Sequence, residues 1–398
     1  MTNWQEKTLG ELGKVSMCKR VLKKQTSAEG DIPFYKIGTF GKTANAFIDA
    51  SLFEDYKTRF SFPKVGDILI SASGTIGRCV VYDGEPAYFQ DSNIVWIDND
   101  ERLVSSEYLL HFYRSCDWNP SKGATISRLY NDDLRKIEIR FPPIPEQKRI
   151  VATLDQAFAD IDKARANAEQ NLKNVRELFD SYLQQVFSQR GEGWVKDKMS
   201  DVCEGKITDG THQTPKYFDE GYIFLSSKNV TSGVIDWKNV KYLDEVQHLA
   251  MQKRMTPRVN DILLAKNGTT GVAAIVDKEA IFNIYVSLAL LRPSKHIVPK
   301  YLLYFINSPV AKRQFNKRLK GIGVPNLHLK EIRDVEVSYP VSLEAQQSIV
   351  DKLDLQLKQR DQLESIYQTK LESLTELKKS ILQKAFSGEL SKNKGVAA

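Results

Sequence analysis

Several chemistries are missing from this sequence. Gly13-Lys14, Gly41-Lys42 and Gly205-Lys206 each lack the rest of a GxxxxGK[ST] loop, and no GxGxxG opens a helix after a strand-like run. Without those runs of backbone N–H groups, the common nucleotide-binding classes are excluded. The histidines His111, His212, His248, His296 and His328 form no HExxH and no cluster with cysteine, so no metal site is expected. Cysteine is scarce: Cys18, Cys79, Cys116 and Cys203 include no CxxC pair, and four reduced thiols are expected. No apolar run approaches the roughly 18 residues of a membrane span. Met1 to Gly10 has no basic segment leading into an apolar core, so no signal peptide and a cytoplasmic location are expected. The tetrapeptide of amino-methylating enzymes (Asn or Asp, two prolines, an aromatic) is also absent. Phe141-Pro142-Pro143-Ile144 has its prolines alone and reads as a stiff hinge. Asp67 and Asp261 stand at equivalent places, but no Glu-x-Lys lies near either, and both read as turn aspartates.

What the chain does have is an internal repeat. Trp4 and Trp194 open the two halves, 190 residues apart. Pro63-Lys64-Val65-Gly66-Asp67-Ile68-Leu69 answers Pro257-Arg258-Val259-Asn260-Asp261-Ile262-Leu263 at 194. Glu107-Tyr108-Leu109-Leu110-His111-Phe112 answers Lys300-Tyr301-Leu302-Leu303-Tyr304-Phe305 at 193, and Ile137 to Pro142 answers Val335 to Pro340 at 198. From Gln147 to Phe187 the offset holds at 199. Blocks in one order with a drifting offset indicate a duplication that has gained and lost loop residues.

Each half has two parts. The first mixes short β-branched or aromatic runs with turn residues. The strands expected in the first half are Ile68–Ser71, Cys79–Tyr82, Ile94–Ile97 and Ile137–Phe141. In the second they are Ile262–Ala265, Ala273–Val276, Val286–Leu291 and Val335–Tyr339. Short helices are expected at Tyr108–Arg114 and Tyr301–Asn307.

The second part of each half reads as one long helix. Ile150, Leu154, Phe158, Ile161, Arg165, Ala168, Leu172, Val175, Phe179, Tyr182 and Val186 recur at mostly alternating steps of four and three, a heptad seam. Leu353, Leu357, Tyr367, Leu371, Leu374, Leu377 and Ile381 mark a second such helix, about Leu343 to Phe386. About forty residues at about 1.5 Å each make a rod of roughly 60 Å. One apolar stripe on such a rod needs a partner. Either each rod covers its own domain, or the two pair with each other. The second reading is preferred, and the return of the chain makes the pair antiparallel. The fold class is therefore α+β: two tandem domains separated by two long helices that form an antiparallel coiled coil, with a pseudo-twofold internal repeat.

The net charge is +7 and the isoelectric point about 8.9, a mild basic bias. Basic residues cluster at Lys19, Arg20, Lys23 and Lys24, and at Lys312, Arg313, Lys317, Arg318 and Lys320. Such clusters suit phosphates, although each also fits a solvated helix face. Glycine loops at Ser71 to Arg78 and at Ala265 to Gly271 combine backbone N–H groups with polar side chains, and Asn267-Gly268 is also a strong turn pair. The DNA-binding candidates of the first half are Lys36, Thr39, Lys42, Ser73, Thr75, Arg78, Lys122 and Arg128. Those of the second are Thr208, Thr211, His212, Lys228, Asn229, Lys266, Asn267, Thr269, Lys317, Arg318 and Lys320. No catalytic residue is expected.

Over essentially its whole length the chain resembles the specificity subunits of type I restriction-modification systems. The resemblance is carried by Pro142-Pro143-Ile144-Pro145-Glu146-Gln147-Lys148-Arg149-Ile150-Val151 at the first rod, by Glu344-Ala345-Gln346-Gln347-Ser348-Ile349-Val350 at the second, and by the duplicated plan. The second copy departs from the pattern, with Val341-Ser342-Leu343 in place of the prolines. The resemblance implies target recognition domains over 1–144 and 191–341, each reading half of a bipartite, asymmetric site in double-stranded DNA. It implies spacer helices over 145–190 and 342–390 and a flexible tail over 391–398. Gln147, Arg149, Gln346 and Gln347 would dock two methyltransferase (modification) subunits, which restriction subunits join. S-adenosylmethionine, ATP and Mg would belong to those partners, and none to this chain. Two other readings stay open: a coiled-coil scaffold that binds proteins without reading DNA, and a nuclease or methyltransferase of unfamiliar motif.

Overall fold

The computed structural model describes residues 3–118, 128–319 and 326–392. The first half runs β1 (Gln5–Thr8), α1 (Leu9–Leu12), β2 (Gly13–Ser16), β3 (Ile32–Tyr35), β4 (Phe47–Ile48), α2 (Ala50–Arg59), β5 (Ile68–Ser71), β6 (Cys79–Val81), β7 (Tyr88–Phe89), β8 (Ile94–Asn99), α3 (Ser106–Ser115), α4 (Asn131–Arg135), β9 (Glu138–Phe141) and the long α5 (Ile144–Phe187). The second half runs β10 (Trp194–Lys198), β11 (Thr208–Asp209), β12 (Tyr222–Leu225), β13 (Lys241–Leu243), α6 (Glu245–Gln252), β14 (Ile262–Ala265), β15 (Ala273–Ile275), β16 (Phe282–Ile284), β17 (Leu288–Leu291), α7 (Pro299–Asn307), α8 (Pro309–Asn316), α9 (Leu329–Arg333), β18 (Glu336–Pro340), the long α10 (Leu343–Phe386) and α11 (Glu389–Lys392).

The duplication is topological as well as sequential. The first half has sheets β2-β8-β5-β6, β4-β3-β7 and β1-β9; the second has β11-β17-β14-β15, β13-β12-β16 and β10-β18. A parallel strand pairing recurs as well, β3 with β7 and β12 with β16. The central strands β5 and β14 are buried on both faces, which is why each reads as an unbroken apolar run rather than an alternating one.

The chain divides into two compact units, residues 1–168 with 369–398, and residues 169–368. Each unit therefore holds one domain and parts of both long helices. In the first, Ile150, Leu154, Phe158 and Ile161 of α5 share a core with α3, β9 and the Leu382 and Ala385 side chains of α10. In the second, Phe179, Leu183, Val186 and Phe187 of α5 share a core with α7, β18 and Val350 and Leu353 of α10. Within each unit, segments of both stripes thus cover the domain and meet each other. Each fully buried Leu or Phe of this kind contributes about 1.5–3 kcal/mol.

Within each unit the helices run antiparallel. In the first, Arg149 donates to the Leu390 carbonyl at 3.0 Å, and farther along, Asp162 pairs with Lys378 at 3.2 Å. In the second, Arg176 pairs with Glu364 at 3.2 Å and Phe179 lies 4.9 Å beneath the Arg360 guanidinium. Arg165 departs from the expected seam and is exposed. Leu377 is likewise largely exposed.

The helix ends are explained locally. Pro143 offers its carbonyl to the Glu146 and Gln147 N–H groups, so the proline-rich hinge starts α5. Gly191 (φ 137°) lies beyond the end of α5, a backbone setting that glycine adopts most readily. α8 carries the first part of the basic cluster, for which a solvated helix face is one of the two readings. Ser308 caps it, accepting from the Ala311 N–H at 3.3 Å, and Pro309 takes the first turn. Residues 391 and 392 continue α11, and Ser391 is buried with its hydroxyl donating to Glu146 at 2.7 Å. The rest of the expected tail lies outside the described residues. Among the described residues, no helix is long and apolar enough to cross a membrane.

Candidate nucleic-acid interface

The first domain gathers several of its candidates around the loop after β5. Ser71 is buried there; its Oγ donates to the Thr75 carbonyl at 2.5 Å and accepts from the Arg78 N–H at 2.8 Å. Gly77 (φ 80°) must be glycine, because a Cβ would meet the Trp118 ring at 2.1 Å. Arg78 donates to the Phe40 carbonyl at 2.7 Å and so joins this loop to residues 36–42. In that second loop Thr39 bonds the Lys36 carbonyl at 3.2 Å, and the Lys42 N–H bonds the Thr39 carbonyl at 2.9 Å. Arg128 pairs as an isolated bridge with Ser73, donates to the Ser92 carbonyl at 3.1 Å and lies 5.8 Å from the Tyr130 ring. Lys36, Lys42 and Thr75 are exposed. Lys122 lies outside the described residues.

One expectation here is corrected. Ser73 is buried, and its hydroxyl donates to Asn93 Oδ1 at 2.8 Å. It fixes the loop rather than facing a ligand.

The second domain concentrates charge instead. Asp209, at the end of β11, is buried. Its carboxylate meets Lys266 Nζ at 3.1 Å, Arg254 at 2.9 Å and His212 Nε2 at 3.2 Å. Burial opposes ionisation of this carboxyl. The hydrogen bond and charge of Lys266, joined by those of His212, outweigh that effect and hold it below the usual aspartate range. Thr208 and Thr211 flank the group, and Thr211 bridges to Tyr285.

Two more expectations change in this domain. Lys266 is only 6% exposed and its charge turns inward to Asp209. Asn229 is buried as well: it accepts from the Ser226 N–H at 2.9 Å and donates to the carbonyls of Asn239 (2.9 Å) and Asp236 (3.3 Å). A short polar side chain in a loop is often consumed by nearby backbone in this way. Lys228, Thr269 and Lys317 are exposed, and Asn267 bridges to Asn326. Arg318 folds back onto the carbonyls of Gln314 (3.0 Å) and Asp334 (3.3 Å). Lys320 lies outside the described residues.

The expected docking residues split in two. Gln147 and Gln346 are both 0% exposed. Gln147 accepts from the Ser105 N–H at 2.9 Å and donates to the carbonyls of Leu103 and Pro142 at 2.8 Å each. Gln346 makes the same set with the Val298 N–H (2.8 Å), His296 (3.0 Å) and Pro340 (2.8 Å). These glutamines staple each long helix to its domain and cannot meet a partner. Arg149 is half-buried on Glu146 and the Leu390 carbonyl, while Gln347 is exposed and bonds Asp351 at 2.8 Å.

Arg254 escaped sequence reasoning, and Asp209 was marked only as part of the polar stretch Asp209 to Pro215, although the repeat carried a signal. Thr208 pairs with Leu290 as Ser16 pairs with Trp96, which sets Asp209 against Met17. The Lys266 N–H bonds the Ser287 carbonyl and its carbonyl takes the Leu327 N–H, as Ala72 does with Asn93 and Leu129. Two apolar positions of one half thus become an ion pair in the other.

Known proteins match this plan. The family model of the type I restriction modification DNA specificity domain matches residues 1–170 and again 191–375. A Haemophilus influenzae protein that carries the name of a type I restriction enzyme specificity subunit is 63% identical over 148 residues, which are 37% of this chain and 38% of that one. The match thus spans well under half the length of that relative. The EcoBI specificity subunit of Escherichia coli is 24% identical over 82% of this chain and 74% of its own. A solved chain from a study of complex assembly in the type I restriction-modification system shares the fold, with a TM-score of 0.75 at 19% identity, covering 97% of this chain and 98% of its own. With two matched domains, one repeated strand order and two long helices, the chain belongs to the type I restriction-modification DNA specificity family and is a DNA sequence-recognition subunit.

Proposed function

We propose that each domain reads one half of a bipartite, asymmetric target in double-stranded DNA while α5 and α10 set the gap between the halves. One observation carries this reading: two domains share a strand order and the glutamine staple yet differ in the side chains of their loops. A shared frame with unlike loops suits two readers of unlike half-sites. The exposed faces of the long helices would dock two modification subunits. Those subunits would supply S-adenosylmethionine and methyl transfer, and restriction subunits would supply ATP- and Mg-dependent cleavage. This chain would position them in the cytoplasm and transfer nothing itself.

The test is to delete one heptad from each long helix and read the gap between half-sites in methylated DNA. Seven residues are about 10 Å of helix, so the gap should shorten by about three base pairs at ~3.4 Å each. An unchanged gap would refute the spacer role.

A further inference from the structure

We infer that Arg254, held in place by Asp209, clamps a DNA phosphate in the second recognition domain, a device absent from the matching positions of the first. The inference rests on the recognition reading above and assigns residues to it.

One carboxylate here faces two permanent cations. Lys266 is buried and spends its charge on Asp209. Arg254 is then left with a positive charge that nothing in the cluster cancels, and its side chain is 51% exposed. Among the described residues Asp209 is the one partner of its guanidinium, reached through a single nitrogen. The remaining donors of the planar fork are available, and such a fork suits phosphate. A cavity of about 320 Å³, lined by Thr211, Gln213, Met251, Arg254 and Asn283, opens beside it, so the guanidinium borders open space and not packed protein. His212 lies 62% exposed on the same carboxylate oxygen.

Asp209 is a positioning residue. It ties together the end of β11, the loop after β14 through Lys266, and the segment after α6 through Arg254. A long arginine fixed in this way loses less freedom when it meets a phosphate. At the matching places the first domain has Met17 and Ala72, neither of which can hold such a group.

The test uses the full chain assembled with its modification subunits and a fluorescent duplex carrying the target. Affinity is measured across a potassium chloride series against a scrambled duplex. Arg254→Ala should flatten the plot of log affinity against log salt by about 1 and weaken both duplexes alike, while Arg254→Lys should restore the slope. The double variant Asp209→Met with Lys266→Ala installs the first domain's pair, leaves no buried charge, and should fold. It keeps Arg254 but should weaken binding severalfold. Unchanged slope and affinity in Arg254→Ala, with a selective wild type, would overturn the clamp alone. A wild type that binds both duplexes equally would overturn the recognition reading, and the clamp with it.

Discussion

The two recognition domains are alike where they meet the long helices and unlike away from them. Tyr108 donates to the Arg140 carbonyl at 3.0 Å, and Tyr301 donates to the Ser338 carbonyl at 2.8 Å. Phe386 closes edge-on over Tyr108 and Phe112, as Phe187 does over Tyr301 and Phe305. Gln147 and Gln346 repeat a three-bond staple atom for atom. Away from the helices the halves part company. Met17 and Ala72 stand where Asp209 and Lys266 form a buried ion pair. This division locates what is held constant, the seat of the helix, and what is free to vary, the loop chemistry that would set a sequence preference.

The strongest way to break the comparison is to cut the staple in each half. Gln147→Leu strands the buried Ser105 N–H and two carbonyls; Gln346→Leu strands the Val298 N–H and two more. Each unsatisfied group costs about 1–3 kcal/mol. Both variants should therefore lose several kcal/mol in urea unfolding, by similar amounts. A large loss in one half and none in the other would show that the staples are not equivalent.

A smaller effect sharpens the comparison at the helix seat itself. His111 bonds Asp155 of α5 at 2.9 Å, where the second half has Tyr304 bonding Asp354 of α10. Burial holds the His111 imidazole below its ordinary value, against the opposing pull of Asp155. A depressed histidine favours the fold in its neutral form. Its contribution is full above the unfolded value of about 6.5 and is lost as the pH falls below it. The melting temperature of the wild type should thus drop more steeply on acidification from neutral pH than that of His111→Tyr, which copies the second half. Parallel curves for the two proteins would remove His111 from this role.

Much of the architecture was legible in the sequence because duplication prints it twice. Ile262–Ala265 is a strand to the residue, and Leu343–Phe386 is the second long helix, since a long apolar period survives any local ambiguity. The bounds of α8 were less legible, because its short basic run has no long apolar period and its start rests on Ser308-Pro309 alone. The interface was less legible for a physical reason. Lys266, Asn229 and Ser73 have the chemistry of ligand-facing groups, but tertiary neighbours consume it. Sequence spacing does not say which way a loop side chain turns. Conversely, Arg254 belongs to no motif and becomes notable only because the fold sets it on Asp209.

The central claim is that two domains on one frame read two different half-sites. It is tested most directly by selecting duplexes from a random library with the assembled complex and sequencing those that stay bound. The account predicts two short, non-identical motifs separated by a fixed gap of unselected bases. A single uninterrupted motif, or two identical halves, would contradict it.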